Sequence, residues 1–198
     1  MTTALRKNWN WLTAAGLALA VSACTSAPVV APADPVPPAT SMAAPAAHDG
    51  TATKVTDGDT VHITGPSGAE ETVRIVGIDT PETKDPRKPV QCGGPEATAF
   101  ASVTLLGQHV RVIPDPTQDR VDRYGRMLAY IELLDANPTT KAPAGSDYST
   151  LVAEAGWARA YIYDPRHPPQ RIAQIQAAES RASVMRRGIW GAMCAQTQ

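Results

Sequence analysis

The sequence predicts an α+β domain built around a small β-barrel, and three observations lead to that prediction. Segments rich in β-branched residues come first, helical periodicity comes later, and no alternating strand–helix–strand rhythm joins them. A leader and a linker precede the domain and leave it about 149 residues, which is enough for one adequate hydrophobic core.

Strand signals occupy the first part of this domain. Residues 51–56, 60–64 and 71–78 are rich in Thr, Val and Ile, and we predict three strands there. An Asp-Gly-Asp turn separates the first two strands, and a Gly-Pro-Ser-Gly turn separates the second from the third. Residues 79–94 are rich in proline and are predicted to form a loop.

A helix is predicted from Pro95, because the first residue of a helix can lack a backbone N–H. Its apolar stripe comprises Phe100, Val103 and either Leu105 or Leu106, and it ends at Gly107. A strand at 109–113 and a hairpin between 119–121 and 126–133 are predicted to follow.

The C-terminal part of the domain is predicted to be helical after a polar loop at 135–146. A short helix begins at about Tyr148, with Asp147 as its N-cap, and ends at Gly156. The final helix is predicted over 169–187, because apolar residues recur at helical spacing at Ile172, Ile175, Ala178, Ala182 and Met185.

The N-terminus carries the features of an export signal. Basic Arg6 and Lys7 precede an apolar run at 9–23, which is shorter than the ~20 residues of a membrane-spanning helix. The run ends in Val21-Ser22-Ala23-Cys24, which resembles a bacterial lipobox. We predict a lipoprotein signal peptide at 1–23 and acylation (palmitate) of Cys24, which would anchor the protein in a membrane; ordinary cleavage with an incidental Cys24 is the alternative.

Residues 24–49 are rich in Ala and Pro and are predicted to form a disordered tether. The domain is then predicted over 50–198. An anchor followed by a tether predicts an exported protein held at the extracytoplasmic face of the bacterial cell membrane, or released as a secreted protein.

Cysteine usage is consistent with export, because two cysteines remain after Cys24. An even pair in an exported protein favours a disulfide between Cys92 and Cys194, and two unpaired thiols are the alternative. The formal net charge of −1 does not by itself indicate a nucleic-acid-binding protein. Any affinity for polyanions must therefore come from local patches or a bound cation.

Three carboxylates and two arginines between positions 57 and 126 suggest metal-assisted phosphodiester chemistry. Asp59 and Asp79 can hold a hard cation, because Ca²⁺ prefers carboxylate and carbonyl oxygens. Arg74 and Arg126 can bind phosphate oxygens bidentately, and Glu82 can act as a base for water.

Six short motifs, in this order, resemble the staphylococcal nuclease (thermonuclease) family. Each is weak alone, and together they are specific. They are Asp57-Gly58-Asp59-Thr60-Val61, Asp79-Thr80-Pro81-Glu82-Thr83-Lys84, Gly94-Pro95-Glu96-Ala97, the run from Asp122-Arg123-Tyr124-Gly125-Arg126 to Tyr130, Ala160-Tyr161-Ile162-Tyr163 and Gly188-Ile189-Trp190. The resemblance implies a five-stranded OB-fold β-barrel with three α-helices. We expect the protein to be a monomer.

The resemblance also implies a calcium-dependent endonuclease that hydrolyses DNA and RNA at the P–O5′ bond and leaves 3′-phosphates. Asp59, Asp79 and the Thr80 carbonyl would hold one Ca²⁺ ion, with Asp57 behind these ligands. Glu82 would orient or deprotonate the attacking water, and Arg74 and Arg126 would clamp the scissile phosphate. The implied substrate-binding residues are Arg123, Tyr124, Tyr161 and Tyr163.

Some features depart from the family or allow another interpretation. Arg123 stands where the family often has lysine, and the 135–146 loop looks longer than usual. The basic residues Lys84, Arg87 and Lys88 either guide substrate or form a solvated loop. The alternative function is a catalytically inactive module of this fold that binds nucleic acid or protein; the intact Asp, Glu and Arg set argues against it.

Overall fold

Five β-strands close into a barrel around the main hydrophobic core. The computed structural model describes residues 46–84, 86 and 89–195. The predicted signal peptide, Cys24, most of the tether, Arg87 and Lys88 lie outside these residues. The strands are β1 (His48–Asp57), β2 (Thr60–Thr64), β3 (Glu70–Ile75), β4 (Ile78–Asp79), β5 (His109–Pro114), β6 (Met127–Leu133) and β7 (Arg159–Ala160); the helices are α1 (Gly94–Leu105), α2 (Tyr148–Glu154) and α3 (Ile172–Val184).

The barrel order is β1–β2–β3–β6–β5, and β5 pairs with β1 to close it. All pairings are antiparallel except that of β3 with β6, which is parallel and aligns Arg74 with Leu128. The predicted α+β class, with a five-stranded barrel and three helices, is confirmed. The parallel pair matters for function, because it brings two segments far apart in the chain side by side.

The predicted third strand is interrupted. We predicted a single strand to residue 78, but β3 ends at Ile75 and Gly77 adopts a φ of 82°, a conformation that favours glycine. The chain then turns away from the barrel, and β4 pairs with β7 in a separate two-stranded sheet. This break carries Asp79 out of the barrel wall toward the arginine side chain of β3.

Other predicted boundaries also shift. β1 begins at His48, so it starts three residues before the strand predicted at 51–56. The predicted hairpin is reduced to a single bridge between Val121 and Met127. In α1 the predicted stripe is only partly right, because Val103 is exposed and the buried apolar side chains are Ala97, Ala101 and Leu105.

The core fills the barrel and extends under the helices. Barrel residues such as Ile63, Ile75 and Ile131 are fully buried with α2 residues such as Val152 and with Ile175 of α3. Burial of this apolar surface is the main contribution to stability. No helix among the described residues is both long enough and apolar enough to cross a membrane.

A disulfide joins Cys92, just before α1, to Cys194 in the C-terminal 3₁₀ helix Ala192–Cys194. This is the pair that the sequence analysis predicted. In the chain-entropy model, closing a loop of about 100 residues stabilises a domain by roughly 4.7 kcal/mol. The bond also fixes the C-terminal segment beside the loop that follows β4.

Candidate functional site

A groove of about 620 Å³ lies beside the end of β3 and brings together many of the predicted site residues. Arg74 and Asp79 form one side of it. The segment that precedes β6 forms another, and the segment after β7 completes it. The remaining predicted residues that line the groove are Arg123, Tyr124, Arg126, Tyr161 and Tyr163.

Asp59 is the most buried carboxylate of the site, with 6% of its surface exposed. It lies in the tight turn between β1 and β2, where the Tyr148 hydroxyl donates a hydrogen bond to the Gly58 carbonyl at 2.8 Å. The Oδ2 atom of Asp59 accepts hydrogen bonds from the N–H and the hydroxyl of Thr80, both at 3.0 Å. These contacts tie the β1–β2 turn to the residue that follows β4.

Arg74 links the two carboxylates predicted to bind metal. Its Nη2 atom lies 3.1 Å from Asp59 Oδ2 and 3.4 Å from Asp79 Oδ1. Its Nη1 atom donates to the carbonyls of Ile75 and Ile78 at 2.8 and 3.0 Å. Because the backbone turns at Gly77, both carbonyls face the guanidinium and fix its orientation.

Arg126 is held by a network that reaches the same carboxylates. Its Nε donates to Asp122 Oδ2 at 2.7 Å, and Asp122 Oδ1 accepts the backbone N–H groups of Tyr124 and Arg126 at 2.9 and 3.0 Å. Its Nη1 donates to the Thr60 hydroxyl at 3.3 Å, and that hydroxyl donates to Asp59 Oδ1 at 3.1 Å. Arg74 therefore contacts Asp59 directly, and Arg126 reaches it through the Thr60 hydroxyl.

The titration of these acids reflects the same network. Burial raises the pKa of Asp122, but the N–H and guanidinium donors of Arg126 outweigh burial and hold the pKa below its ordinary value. Burial, and then the charge of Asp59, raises the pKa of Asp57 to about 6. Burial and the charge of Asp59 also raise the pKa of Asp79, against the opposing charge of Arg74. Negative charge is thus concentrated around Asp59.

This concentration of carboxylates fits a hard cation. Asp59 and Asp79 each place a carboxylate oxygen near Nη2 of Arg74. Burial, and after it the charge of Asp59, raises the pKa of Asp57 and Asp79, and a cation beside these groups would offset that negative charge. Within the described residues, no three His, Cys, Asp or Glu side chains form a ready-made cage. A bound ion would therefore need backbone or water oxygens as well, which Ca²⁺ readily accepts.

Glu82 lies close enough to Asp79 to raise the pKa of that carboxyl further by its charge. Its Oε1 accepts the backbone N–H of Lys84 at 2.6 Å. Its own N–H donates to the side-chain Oε1 of Gln91 at 2.9 Å. The acid therefore stands beside the carboxylate cluster on a segment that has its own hydrogen bonds.

The predicted aromatic residues are on the surface and not in the core. Tyr124 and Tyr163 are 68% and 79% exposed, and Tyr161 is 42% exposed. The guanidiniums of Arg123 and Arg126 lie 4.9 and 5.3 Å from the Tyr124 ring centroid. Exposed rings beside arginine side chains can stack on nucleic-acid bases without selecting among them.

Sequence reasoning missed several residues that hold the site together. It gave no role to Asp122, which anchors Arg126, to Thr60, which joins Arg126 to Asp59, or to Tyr148, which holds the Gly58 carbonyl. The spacing of Asp122 and Arg126, four apart around a glycine turn, was an available signal. Nothing local to Tyr148 indicates a partner 90 positions earlier in the chain.

The chain matches the family model described as staphylococcal nuclease homologue over residues 72–192. It is 36% identical over 138 residues to the thermonuclease of Staphylococcus hyicus, and the aligned region covers 69% of this chain and 72% of that protein. It is 37% identical over 137 residues to the thermonuclease of Staphylococcus intermedius, and the aligned region covers 69% of this chain and 73% of that protein.

A more distant relative is an SPbeta prophage-derived endonuclease of Bacillus subtilis (strain 168). It is 33% identical over 143 residues, which cover 72% of this chain and 44% of that protein. The range matched by the family model includes Arg74, Asp79, Glu82 and Arg126, while Asp59 precedes it.

Proposed function

The chain belongs to the staphylococcal nuclease family and is a nuclease, and from that premise we propose that it is an endonuclease that cuts DNA and RNA with the help of one Ca²⁺ ion. The observation that carries the proposal is the position of Arg74 between Asp59 and Asp79, with Arg126 reaching Asp59 through Thr60. Two guanidiniums and two carboxylates are thereby joined in one network of polar contacts. The product of P–O5′ cleavage would carry a 3′-phosphate.

Phosphodiester hydrolysis needs a positioned water and positive charge on the phosphate oxygens. Glu82 stands beside the carboxylates and would orient the water or take its proton. Arg74 and Arg126 would bind the non-bridging oxygens, and Arg126 would also stabilise the leaving oxygen. Both guanidiniums are oriented by carboxylates and carbonyls before substrate binds, so little reorganisation is needed.

The carboxylates of Asp59 and Asp79 and the carbonyl of Thr80 would hold the ion, with Asp57 behind them. Bound there, Ca²⁺ would supply Lewis-acid stabilisation of the charge on the phosphate. The N–H and hydroxyl of Thr80 hold Asp59 in place from the side of β4. Burial of Asp59 keeps its charge poorly screened, which favours the cation.

Substrate binding would use the exposed rings that line the groove. Tyr124, Tyr161 and Tyr163 would stack on bases or approach the sugar, and Arg123 would contact a neighbouring phosphate. Aromatic faces accept any base, which supports activity on both DNA and RNA. The near-neutral charge of the chain predicts weak non-specific affinity, so the groove itself must capture substrate.

We propose that the nuclease domain is exported and tethered through an acylated Cys24 at the extracytoplasmic face of the cell membrane. The signal peptide at 1–23, the tether at 24–49 and the domain from residue 50 stay predictions from the sequence. Mass spectrometry of protein from the native membrane would test acylation at Cys24. An unmodified Cys24 on a mature N-terminus at another residue would contradict it.

The proposed activity is tested with supercoiled plasmid and with single-stranded RNA. We expect purified protein to nick and linearise the plasmid and to shorten the RNA when Ca²⁺ is present, and to do neither with a chelator. End-group analysis should find 3′-phosphates. Binding of both polymers without any Ca²⁺-dependent cleavage would instead identify an inactive binding module.

A further inference from the structure

The loop that follows β4 is closed by a reciprocal pair of hydrogen bonds between Glu82 and Gln91. The Glu82 N–H donates to the Gln91 side-chain Oε1 at 2.9 Å, and the Gln91 N–H donates to the Glu82 carbonyl at 3.0 Å. The Gln91 carbonyl in turn accepts the Gly94 N–H at 3.0 Å at the start of α1. Gln91 therefore connects the backbone of the proposed catalytic acid to the first helix.

The residues after Gln91 are packed too closely to shift without disturbing Glu82. A Cβ on Gly94 would lie 3.1 Å from the Pro81 carbonyl oxygen and 3.3 Å from the Glu82 carbonyl oxygen. A Cβ on Gly93 would lie 2.5 Å from Cγ2 of Ile189. The backbone at 93–94 thus lies between the Glu82 segment and the 3₁₀ helix Gly188–Trp190, which contains Ile189.

The disulfide fixes this arrangement covalently. Cys92 is adjacent to Gln91, and its bond to Cys194 fastens it to the C-terminal segment. Cys194 is 2% exposed and Ile189 is 4% exposed, so the bond stands at a packed junction. By contrast, the hydrogen bonds described above for Asp59, Arg74 and Arg126 involve neither Gln91 nor this disulfide.

We propose that Gln91 is a positioning residue for Glu82, that the Cys92–Cys194 disulfide holds Gln91 in place, and that cleavage of nucleic acid is therefore sensitive to the redox state of this bond. The inference rests on the proposed role of Glu82. A dithiol reductant would break the sulfur–sulfur bond; the two cysteines gain two electrons and two protons, and the reductant becomes a cyclic disulfide. The acid would lose its alignment while the barrel stays folded.

Alignment matters because a displacement of about 1 Å at a reacting group can lower the rate by roughly 100-fold. A misaligned water-orienting acid affects the chemical step more than the binding of substrate. The expected signature is thus a lower kcat with a KM near the wild-type value. A general loss of structure would change both parameters together with stability.

The first test uses the purified full-length protein and three variants. Gln91→Met removes the acceptor at nearly constant size and should lower kcat roughly 10- to 100-fold, with KM changed less than about twofold. Gln91→Glu keeps an acceptor oxygen and should retain most of the wild-type kcat. Gln176→Met, at an exposed position on α3, is the matched control and should behave as wild type.

A double-variant cycle then separates positioning from general packing. In a Glu82→Gln background, Gln91→Met should cause little further loss of kcat, because its effect passes through Glu82. Equal losses of kcat in both backgrounds would overturn the proposal. So would an unchanged kcat for Gln91→Met in an active wild-type protein, and that result would leave the proposed nuclease function intact.

The second test does not depend on activity. Amide hydrogen exchange measured by NMR should show that protection of the Glu82 N–H falls in Gln91→Met while protection in the barrel strands is retained. In wild type treated with dithiothreitol, protection of the Glu82 N–H should also fall, and the barrel strands should stay protected but less strongly, because the disulfide stabilises the folded domain. Unchanged protection of the Glu82 N–H in both would overturn the positioning role. A wild-type protein without any nuclease activity would overturn the proposed function separately.

The third test isolates the disulfide. A protein with both Cys92→Ala and Cys194→Ala should match reduced wild type in kcat, and dithiothreitol should not change it further. Loss of activity by the reductant in this double variant would assign the effect to something other than the bond. Full activity of reduced wild type, with thiols verified by alkylation, would overturn the redox dependence.

Discussion

Each guanidinium of the site is positioned by several partners, and these partners differ in kind. Arg74 is bound by two carbonyl oxygens and two carboxylates, while Arg126 is bound by one carboxylate and one hydroxyl. A phosphate that approaches Arg74 must share it with Asp59 and Asp79. Arg126 keeps one carboxylate partner only, and it also faces the exposed Tyr124 ring. We therefore expect the Arg126 guanidinium to move toward a bound phosphate more readily than the Arg74 guanidinium does.

Replacing Glu82 with Gln tests the proposed acid–base role. The amide cannot take a proton from water, so kcat with Ca²⁺ should fall by roughly 10²- to 10⁴-fold while the free energy of unfolding changes little. Glu179→Gln on α3 serves as the control and should keep wild-type kcat. A near-wild-type kcat for Glu82→Gln would remove this residue from the mechanism.

Replacing Arg126 with Lys keeps the charge and tests whether bidentate binding by the guanidinium is needed. Lysine cannot donate to Asp122 and Thr60 and still bind phosphate bidentately, so we expect kcat to fall by roughly 10²- to 10³-fold. Steady-state kinetics on a short oligonucleotide would measure the loss, with Arg186→Gln, exposed beyond α3, as the control. Activity within a few-fold of wild type would mean that charge alone suffices.

At the scale of elements, the short β4–β7 sheet matters more for the site than its length suggests. Because the chain turns at Gly77, this sheet holds Asp79 outside the barrel wall, within 3.4 Å of the Arg74 guanidinium. A Cβ on Gly77 would lie 2.5 Å from Cδ1 of Ile175 in α3, so this turn is also a packing contact. One glycine thus separates a barrel strand from a strand that carries a proposed metal ligand.

The end of β5 is joined to the chain before α3 through the buried carboxylate of Asp115. It accepts hydrogen bonds from the Tyr130 hydroxyl at 2.5 Å, from the Gln170 N–H at 2.8 Å and from the Thr117 N–H at 2.8 Å. Burial raises the pKa of Asp115, but these donors outweigh it, so the pKa stays below the ordinary value of 3.8. The charged form is therefore favoured in the folded protein.

Because the folded pKa lies below the unfolded value, Asp115 contributes stability above about pH 4 that is lost as the pH falls through its folded pKa. We expect Asp115→Asn to lower the free energy of unfolding by about 1–3 kcal/mol at pH 7 and by less near pH 3. Urea denaturation at both pH values would measure it, with exposed Asp135→Asn as the control. A loss that is equal at both pH values would contradict the linkage.

At the scale of the whole molecule, metal binding should appear as stability. A ligand that binds only the folded state at about 100 times its Kd adds roughly 2.7 kcal/mol. Thermal unfolding should therefore shift upward with Ca²⁺ for wild type and for Glu179→Gln, and much less for Asp59→Asn, which loses a buried ligand charge. An equal thermal shift in all three proteins would mean that Asp59 is not a ligand of the ion.

Sequence reasoning reached the barrel, the helices and the main charged residues, because β-branched runs, helical spacing and short motifs are local signals. It did not reach the break at Gly77, since an isolated glycine inside a β-rich run reads equally well as part of a strand. It also missed the partners of Arg126 and Gly58, because those contacts join residues distant in the chain. Local patterns predicted which side chains matter, and tertiary packing decided what holds them.

The parallel alignment of β3 with β6 has a consequence for how the protein matures. Arg74 and Arg126 stand near each other only after these two distant strands have docked in register, and a shift of one residue would turn Arg74 to the opposite face. Long-range strand pairing is slow compared with helix formation. We therefore expect the proposed active site to be incomplete in a newly made chain until β3 and β6 have paired.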